Sequence, residues 1–476
     1  MVYQRMKHLL KAIVILFSLF CPLPLWAKES STLLTSDHLS FLWGLPFMGV
    51  LLSIALFPLF VPSLWHRHFG KISALWSLGF LIPCWMVHGP DSTLYICLHT
   101  LLLEYLPFII LLCALFTTTG GIQIKGGFRG TPLSNTLLLT LGTLMASFIG
   151  TTGASMLLIH PLIQANASRH YKTHTIIFFI FLVSNIGGIL TPLGDPPLFL
   201  GFLRGIPFFW PLHHLFIPLL IIGIPLIFIF YGIDFWLFKK EPLLDSFTSD
   251  SQHLSIIGSI NFLFLAGILG AVIMSGIWQS GIELKINGIS LKLENCLRDL
   301  ILIFLSLFSL YVSPSEARKG NHFNWAPMLE VAKIFLAIFI TAIPVLSMLE
   351  AGSHGPFGHL LDLTMTAGHP NNAMYFWLTG ILSSFLDNAP TYLVFFSMAG
   401  GDADILACVG YKTLMAISCG AVFMGAMTYI GNAPNFMVKA VAEQEKIKMP
   451  SFFGYLAWSI PLLGGMFFML TLVYFM

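Results

Sequence analysis

Two carboxylates stand where an apolar chain should not carry them. Asp195 falls in "SNIGGILTPLGDPPLFLGF", Ser184 to Phe202, and Asp387 in "SSFLDNAPTY", Ser383 to Tyr392, each flanked by long hydrophobic runs. A charged side chain in the middle of a membrane span costs roughly 2.5–3.5 kcal/mol on insertion scales, so an acid found there is by default a functional candidate. Among apolar groups a carboxylate holds a proton readily, and alternating between a proton and a metal cation is the chemistry of cation/proton exchange. The plainer alternative for both acids is a helix cap or a structural hydrogen bond at an interrupted helix.

The residues around them favour interruption. "TPLGDPP", Thr191 to Pro197, cannot continue a helix, because proline removes a donor and disrupts the preceding turn. Irregular backbone at membrane depth survives only where protein or a watery cavity covers its polar groups. A second stretch, "TYIGNAPN", Thr428 to Asn435, repeats the order Thr, two residues, Gly, Asx, with proline following. Asp195 aligns with Asn432 and Gly194 with Gly431. Two further polar stretches read as tips of apolar helix-turn-helix hairpins. "SFIGTTGASM" carries Thr151, Thr152 and Ser155; "SSFLDNAPTY" carries Asp387, Asn388 and Thr391. Two broken helices and two polar tips make one composite site, in which hydroxyl, amide and carbonyl oxygens meet helix N-termini. Thr191, Gly194, Asp195, Asn432 and Asn435 come from the breaks. Asp195, Asp387 and Asn388 are the expected sodium ligands.

The elements that must position these residues are membrane spans. The 476-residue chain is 57% hydrophobic and 9% charged, against about a quarter charged for a soluble domain. Runs of roughly 20 apolar residues are expected to cross the bilayer. They fall at 39–62, 72–88 and 94–119, then a hairpin at 134–168, then 174–203 and 212–237. The order repeats at 256–277, 291–313 and 328–349, with a hairpin at 371–400, then 410–442 and 452–475. The predicted fold is an all-α polytopic membrane protein with an inverted-topology repeat. Each half has about five spans, one re-entrant hairpin and one broken helix. The expected divisions are a signal-like segment over 1–27, a first repeat over 28–240, a cytoplasmic linker over 241–255 and a second repeat over 256–476. Arg5, Lys7 and Lys11 precede the apolar run of the signal-like segment, whose cleavage is left open.

Basic residues report orientation. Arg67, Lys71, Lys125, Arg129, Arg169, Lys172, Lys239, Lys240, Arg318, Lys319, Lys446 and Lys448 all fall inside if both hairpins re-enter. Arg204, Lys285, Lys292, Arg298 and Lys412 are exceptions. A net charge of +2 spread over short loops gives no nucleic-acid surface. The seven cysteines are scattered without a CxxC pair and read as packing residues. Glu104, in "LLLEYLPF", is a candidate second proton carrier or the partner of a donor on another helix. His160 reads as an interior histidine.

"SNIGGILTPLGDPP" resembles the broken-helix motif of the ion transporter superfamily, and "SSFLDNAPT" the second hairpin tip of its NhaD-type sodium/proton antiporters and arsenite permeases. "FIGTTGASMLLIHPLI" and "GNAPNFMVKAVAEQ" are similar to a bacterial, CitMHS-like branch labelled sodium/proton antiporter or citrate transporter. The resemblance covers almost the whole chain after the signal-like segment. It implies a homodimer in a bacterial inner membrane, with a scaffold part and a transport part that moves like an elevator. It also implies that Asn185, Asp195, Asp387, Asn388 and Thr391 sit at the ion site. The Ser-Asn-Thr triplets of the dicarboxylate symporters are missing here; "GTTGAS" and "LDNAPT" stand in their places.

The leading expectation is therefore a sodium or lithium/proton antiporter, with Na+ and H+ as transported or coupling ions and no cofactor. Two acids without a basic residue at the site favour a small inorganic cation over a small carboxylate. The alternatives are a sodium- or proton-coupled citrate or dicarboxylate carrier, then an arsenite efflux permease. An enzyme is not expected, since HExxH, GxSxG and phosphate-cradling glycine motifs are all lacking.

Overall fold

The computed structural model describes residues 39–126, 129–241, 255–352, 355–358, 362, 364–366 and 369–476. The signal-like segment and most of the expected linker lie outside these residues. Among the described residues nine helices are long and apolar enough to cross a membrane, and the fold is all-α and polytopic.

The first half runs α1 (Leu45–Phe60), α2 (Pro62–Thr100) and α3 (Leu106–Thr119), with a π-helical turn at Leu101–Tyr105 between the last two. α2 contains a reversal at Gly89, whose φ of 82° is open to glycine and strained for other residues, and Pro90 follows it. The second predicted span thus begins earlier than residue 72. Arg67 and Lys71 lie on its helix rather than in a loop, because nothing between Pro62 and His88 interrupts helical geometry. The hairpin α4 (Pro132–Ile149) and α5 (Thr151–Ala165) turns on Gly150, at φ 81°. Thr131 caps α4 by accepting from the Ser134 amide, and Pro132 occupies the first helical position, where its missing N–H costs nothing. Next come α6 (Thr173–Leu182), a short 3-10 turn (Ile186–Leu190) and α7 (Pro196–Leu203), which together form the first broken helix; α8 (Trp210–Phe238) ends the half.

The second half repeats the order. α9 (Ile260–Ile277), α10 (Leu293–Val312) and α11 (Ala326–Glu350) precede the hairpin α12 (Asn372–Phe385) and α13 (Asn388–Met398). The second broken helix is α14 (Tyr411–Met424) and α15 (Ala433–Gln444), and α16 (Phe452–Ser459) leads into a final helical stretch. A two-stranded antiparallel pair, Gln123–Lys125 with Ser255–Ile257, joins the halves.

Burial sorts the elements. From His174 to Leu182, α6 is buried on every side, as a helix hydrophobic all round must be when it lies inside the bundle. α1, α2, α8 and α10 expose Leu, Ile, Phe and Trp side chains along their outer faces. In a membrane those faces meet lipid. An aromatic cluster fixes α3 and α11 against α7: Phe108 stacks on Phe335 at 4.7 Å and lies 6.5 Å from Phe199.

The hairpins dock onto the breaks through matched contacts. The Thr191 hydroxyl donates to the Ser147 carbonyl, and the Thr428 hydroxyl to the Ser384 carbonyl, each 44 residues back. The Ser147 hydroxyl donates to the Gly187 carbonyl and that of Ser384 to the Met424 carbonyl, each 40 residues on. Thr191 also accepts from the Leu193 amide and Thr428 from the Ile430 amide, both at 3.2 Å. These bonds occupy the groups that breaking a helix sets free. Both hairpin tips therefore end beside breaks that lie midway along the two broken helices.

Candidate functional site

Four short helices begin at one place. α5 starts at Thr151, α7 at Pro196, α13 at Asn388 and α15 at Ala433. Asp195 lies among them, 1% exposed. It occupies the N-cap position of α7 but makes no capping bond to its own helix. Its oxygens turn instead to other elements: Oδ1 accepts from the Thr151 hydroxyl at 2.9 Å and the Asn432 amide at 3.1 Å, and Oδ2 accepts from the Asn388 amide. One carboxylate thus collects a donor from each hairpin tip and one from the other break. The capping alternative does not describe Asp195. It does describe Asp387, whose Oδ1 accepts from the Ala389 amide at 3.3 Å at the start of α13. Asp387 is the chain neighbour of Asn388, whose amide bonds Asp195.

Asparagines tie the two breaks together. The Asn185 amide donates to Asn435 Oδ1 at 2.6 Å and to the Ile180 carbonyl at 2.8 Å. Asn435 in turn donates to the Gly425 and Thr428 carbonyls, and Asn432 to the Ser184 carbonyl. Among the described residues, the buried amide oxygens Asn185 Oδ1 and Asn388 Oδ1 around the breaks have no hydrogen-bond partner. A buried acceptor without a partner calls for an explanation, and an oxygen beside a carboxylate is what a hard monovalent or divalent cation takes as ligand. Asp195 and Asn388, which are bonded to each other, could hold such an ion; Asn185 stands on the neighbouring Asn435.

A cavity of about 110 Å³ opens beside Asp195. Thr151, Thr152, Gly194 and Asp195 line one wall, and Phe108 to Phe116 of α3, Pro327 to Val331 of α11 and Met437 of α15 the others. Among the described residues, Asp195 is the one charged residue lining it.

The remaining predicted residues divide. Ser155 pairs with Ser184 at 2.8 Å, bracing α5 against the chain before the first break. The Thr391 hydroxyl bonds back to the Asp387 carbonyl at 3.0 Å, within the start of α13. Thr191 is a staple of the break, and the Gly194 carbonyl accepts from the Thr151 amide at 2.8 Å. Glu104 is not brought to the site: it pairs with Arg204 at 3.1 Å, at the far end of α7. His160 faces His322, ring centres 5.4 Å apart.

One polar network escaped the sequence reading. Asp234, fully buried in α8, accepts from Arg169 at 2.6 Å, lies 2.8 Å from His174 Nε2 and accepts from Asn135 at 2.9 Å. Asn135 and Asn166 exchange amide bonds across the base of the first hairpin. Asp234 is a lone acid in an apolar span, the signal that marked Asp195, and the same rule finds it.

With this geometry in hand, the comparisons decide the family. The profile of the family described as "Putative citrate transport" (CitMHS_2) matches residues 36–475. The chain belongs to this citrate transport family. The match takes in both hairpins, both breaks and every residue around Asp195, so the family's sequence pattern spans the site and its frame alike. No curated protein is similar enough to match the chain.

Proposed function

We propose that this member of the citrate transport family is a secondary transporter, not an enzyme, that exchanges sodium or lithium for protons at Asp195 by alternating access. The observation that carries the reading is the cavity: beside it stands one carboxylate and no lysine, arginine or histidine. A multivalent carboxylate placed there would meet negative charge without compensation. A small cation would meet the Asp195 carboxylate there, with Thr151 and Thr152 on the same wall, and Asn388, bonded to Asp195, behind it. Protonated Asp195 keeps the site neutral when the cation has left, which is what exchange requires.

In this reading the halves 28–240 and 256–476 are inverted repeats, the basic loops face the cytoplasm of a bacterial inner membrane, and the cavity opens to that side. The hairpins and broken helices move against α1 to α3 and α9 to α11, in a homodimer. The second reading is a citrate or dicarboxylate carrier coupled to sodium or protons. The family's description favours it, as do the four helix N-termini that converge on the site, since each carries partial positive charge. Arsenite efflux ranks third, on the hydroxyl-rich tips.

Reconstitution into liposomes with an imposed pH gradient separates these readings. Dissipation by sodium or lithium, lost in Asp195→Asn, supports exchange. Uptake of labelled citrate without any response to cations overturns it.

A further inference from the structure

The two helices that start at the site also end together. α7 runs from Asp195 to Arg204, and α13 from Asn388 to Met398. At their far ends Arg204 Nη2 meets Glu104 Oε1 at 3.1 Å and Nη1 meets Glu350 Oε1 at 3.4 Å, while Ser397 donates to Glu350 Oε1 at 3.1 Å. Glu104 belongs to the π-helical turn before α3 and Glu350 is the last residue of α11. Each ion pair therefore crosses from the helix that begins at Asp195 to one that supplies the cavity's apolar wall.

Its position matters. α11 places Pro327, Met328 and Val331 at the cavity and Glu350 at this cluster, so one helix marks two opposite sides of the site. The span that holds α3 does the same, with Phe108 to Phe116 at the cavity and Glu104 before them. The helix α7, between Asp195 at its N-cap and Arg204 at its C-cap, puts Arg204 about 13 Å from Asp195 along a rigid rod. The structure has a cavity on one side of Asp195 and a charged clasp on the other.

We propose that Arg204, with Glu104 and Glu350, is a latch that holds α7 and α13 in the conformation whose cavity faces the basic loops. It must open for the site to reach the other side. The inference rests on the alternating-access reading above, though not on which solute moves. Arg204 is 18% exposed and Glu104 22%, so the pairs are wet enough to break and re-form, and a contact of this kind biases an equilibrium without freezing it.

The test reads conformation directly. In the full chain, with its native cysteines replaced, a single cysteine at Met437 reports the cavity by its rate of maleimide labelling in liposomes. Arg204→Gln is expected to slow that labelling by up to about fivefold, because losing one to two exposed ion pairs shifts the equilibrium by about that factor, and Arg204→Lys to restore it. Glu350→Gln, which removes the more exposed acid, is expected to shift the rate in the same direction by a smaller factor. Unchanged labelling in Arg204→Gln or in Glu350→Gln overturns the latch. Faster labelling also overturns it, since it means the clasp closes the cavity or holds the fold. Because labelling needs no substrate, failure of the antiport reading leaves this result interpretable.

Discussion

At the first break Thr191 and Ser147 hold a loop that ends in Asp195, whereas at the second Thr428 and Ser384 hold an equivalent loop that ends in Asn432. The staples match in chemistry and spacing; the charge does not. At the tips the relation is reversed: the first turns on Gly150 and the second carries Asp387. What the two regions share is the solution to unpaired backbone in a membrane, which any break requires. What they do not share is the chemistry, which needs one carboxylate in one place. The hairpin bases differ too. Asn135 at the first is bonded to buried, charged Asp234, while Asn372 at the second accepts a single bond from Thr413.

The comparison can be broken most severely at the glycines. In both breaks the chain doubles back so tightly that a Cβ on Gly194 would overlap the Gly188 carbonyl, and one on Gly431 the Gly425 carbonyl. Gly194→Ala and Gly431→Ala are each expected to abolish recovery of monodisperse protein on size exclusion, because backbone rather than a movable side chain blocks the new atom. Normal recovery of either would mean that its break relaxes.

Asp234→Asn sharpens the contrast between the hairpin bases. It leaves Arg169, 3% exposed, without its close acid, and removing one partner of a buried pair costs about 3–5 kcal/mol. Thermal unfolding should report that loss, while Thr413→Val, at the base of the second hairpin, should cost about 1 kcal/mol. The staples fall between these two. Thr191→Val leaves a buried carbonyl and one amide short of a partner, and Thr428→Val a buried carbonyl and two amides, for about 1–3 kcal/mol each. The larger fall in melting temperature is expected for Thr428→Val. A larger fall in Thr191→Val would mean that the first break carries the greater load.

The sequence foretold the spans, both breaks and both tips, because proline, glycine and Asx in an apolar run leave the backbone few choices. It aligned Asp195 with Asn432; in the structure each stands at the N-cap of the helix after its break, and Asn432 donates to Asp195 at 3.1 Å. It did not distinguish Asp195 from Asp387, since which acid caps its own helix depends on how the tips dock. Nor did it connect Arg169 to Asp234: a basic residue next to a span reads equally as a topology signal or as half of a buried pair. Glu104 was legible as an acid in a span, but its partner Arg204 lies 100 residues away.

The claim that one buried carboxylate trades a proton for a cation can be measured without transport. Sodium or lithium added to the purified protein in weakly buffered detergent solution should release protons, detected by a pH dye, and Asp195→Asn should release none. Proton uptake on adding citrate, with no response to sodium or lithium, would contradict the account.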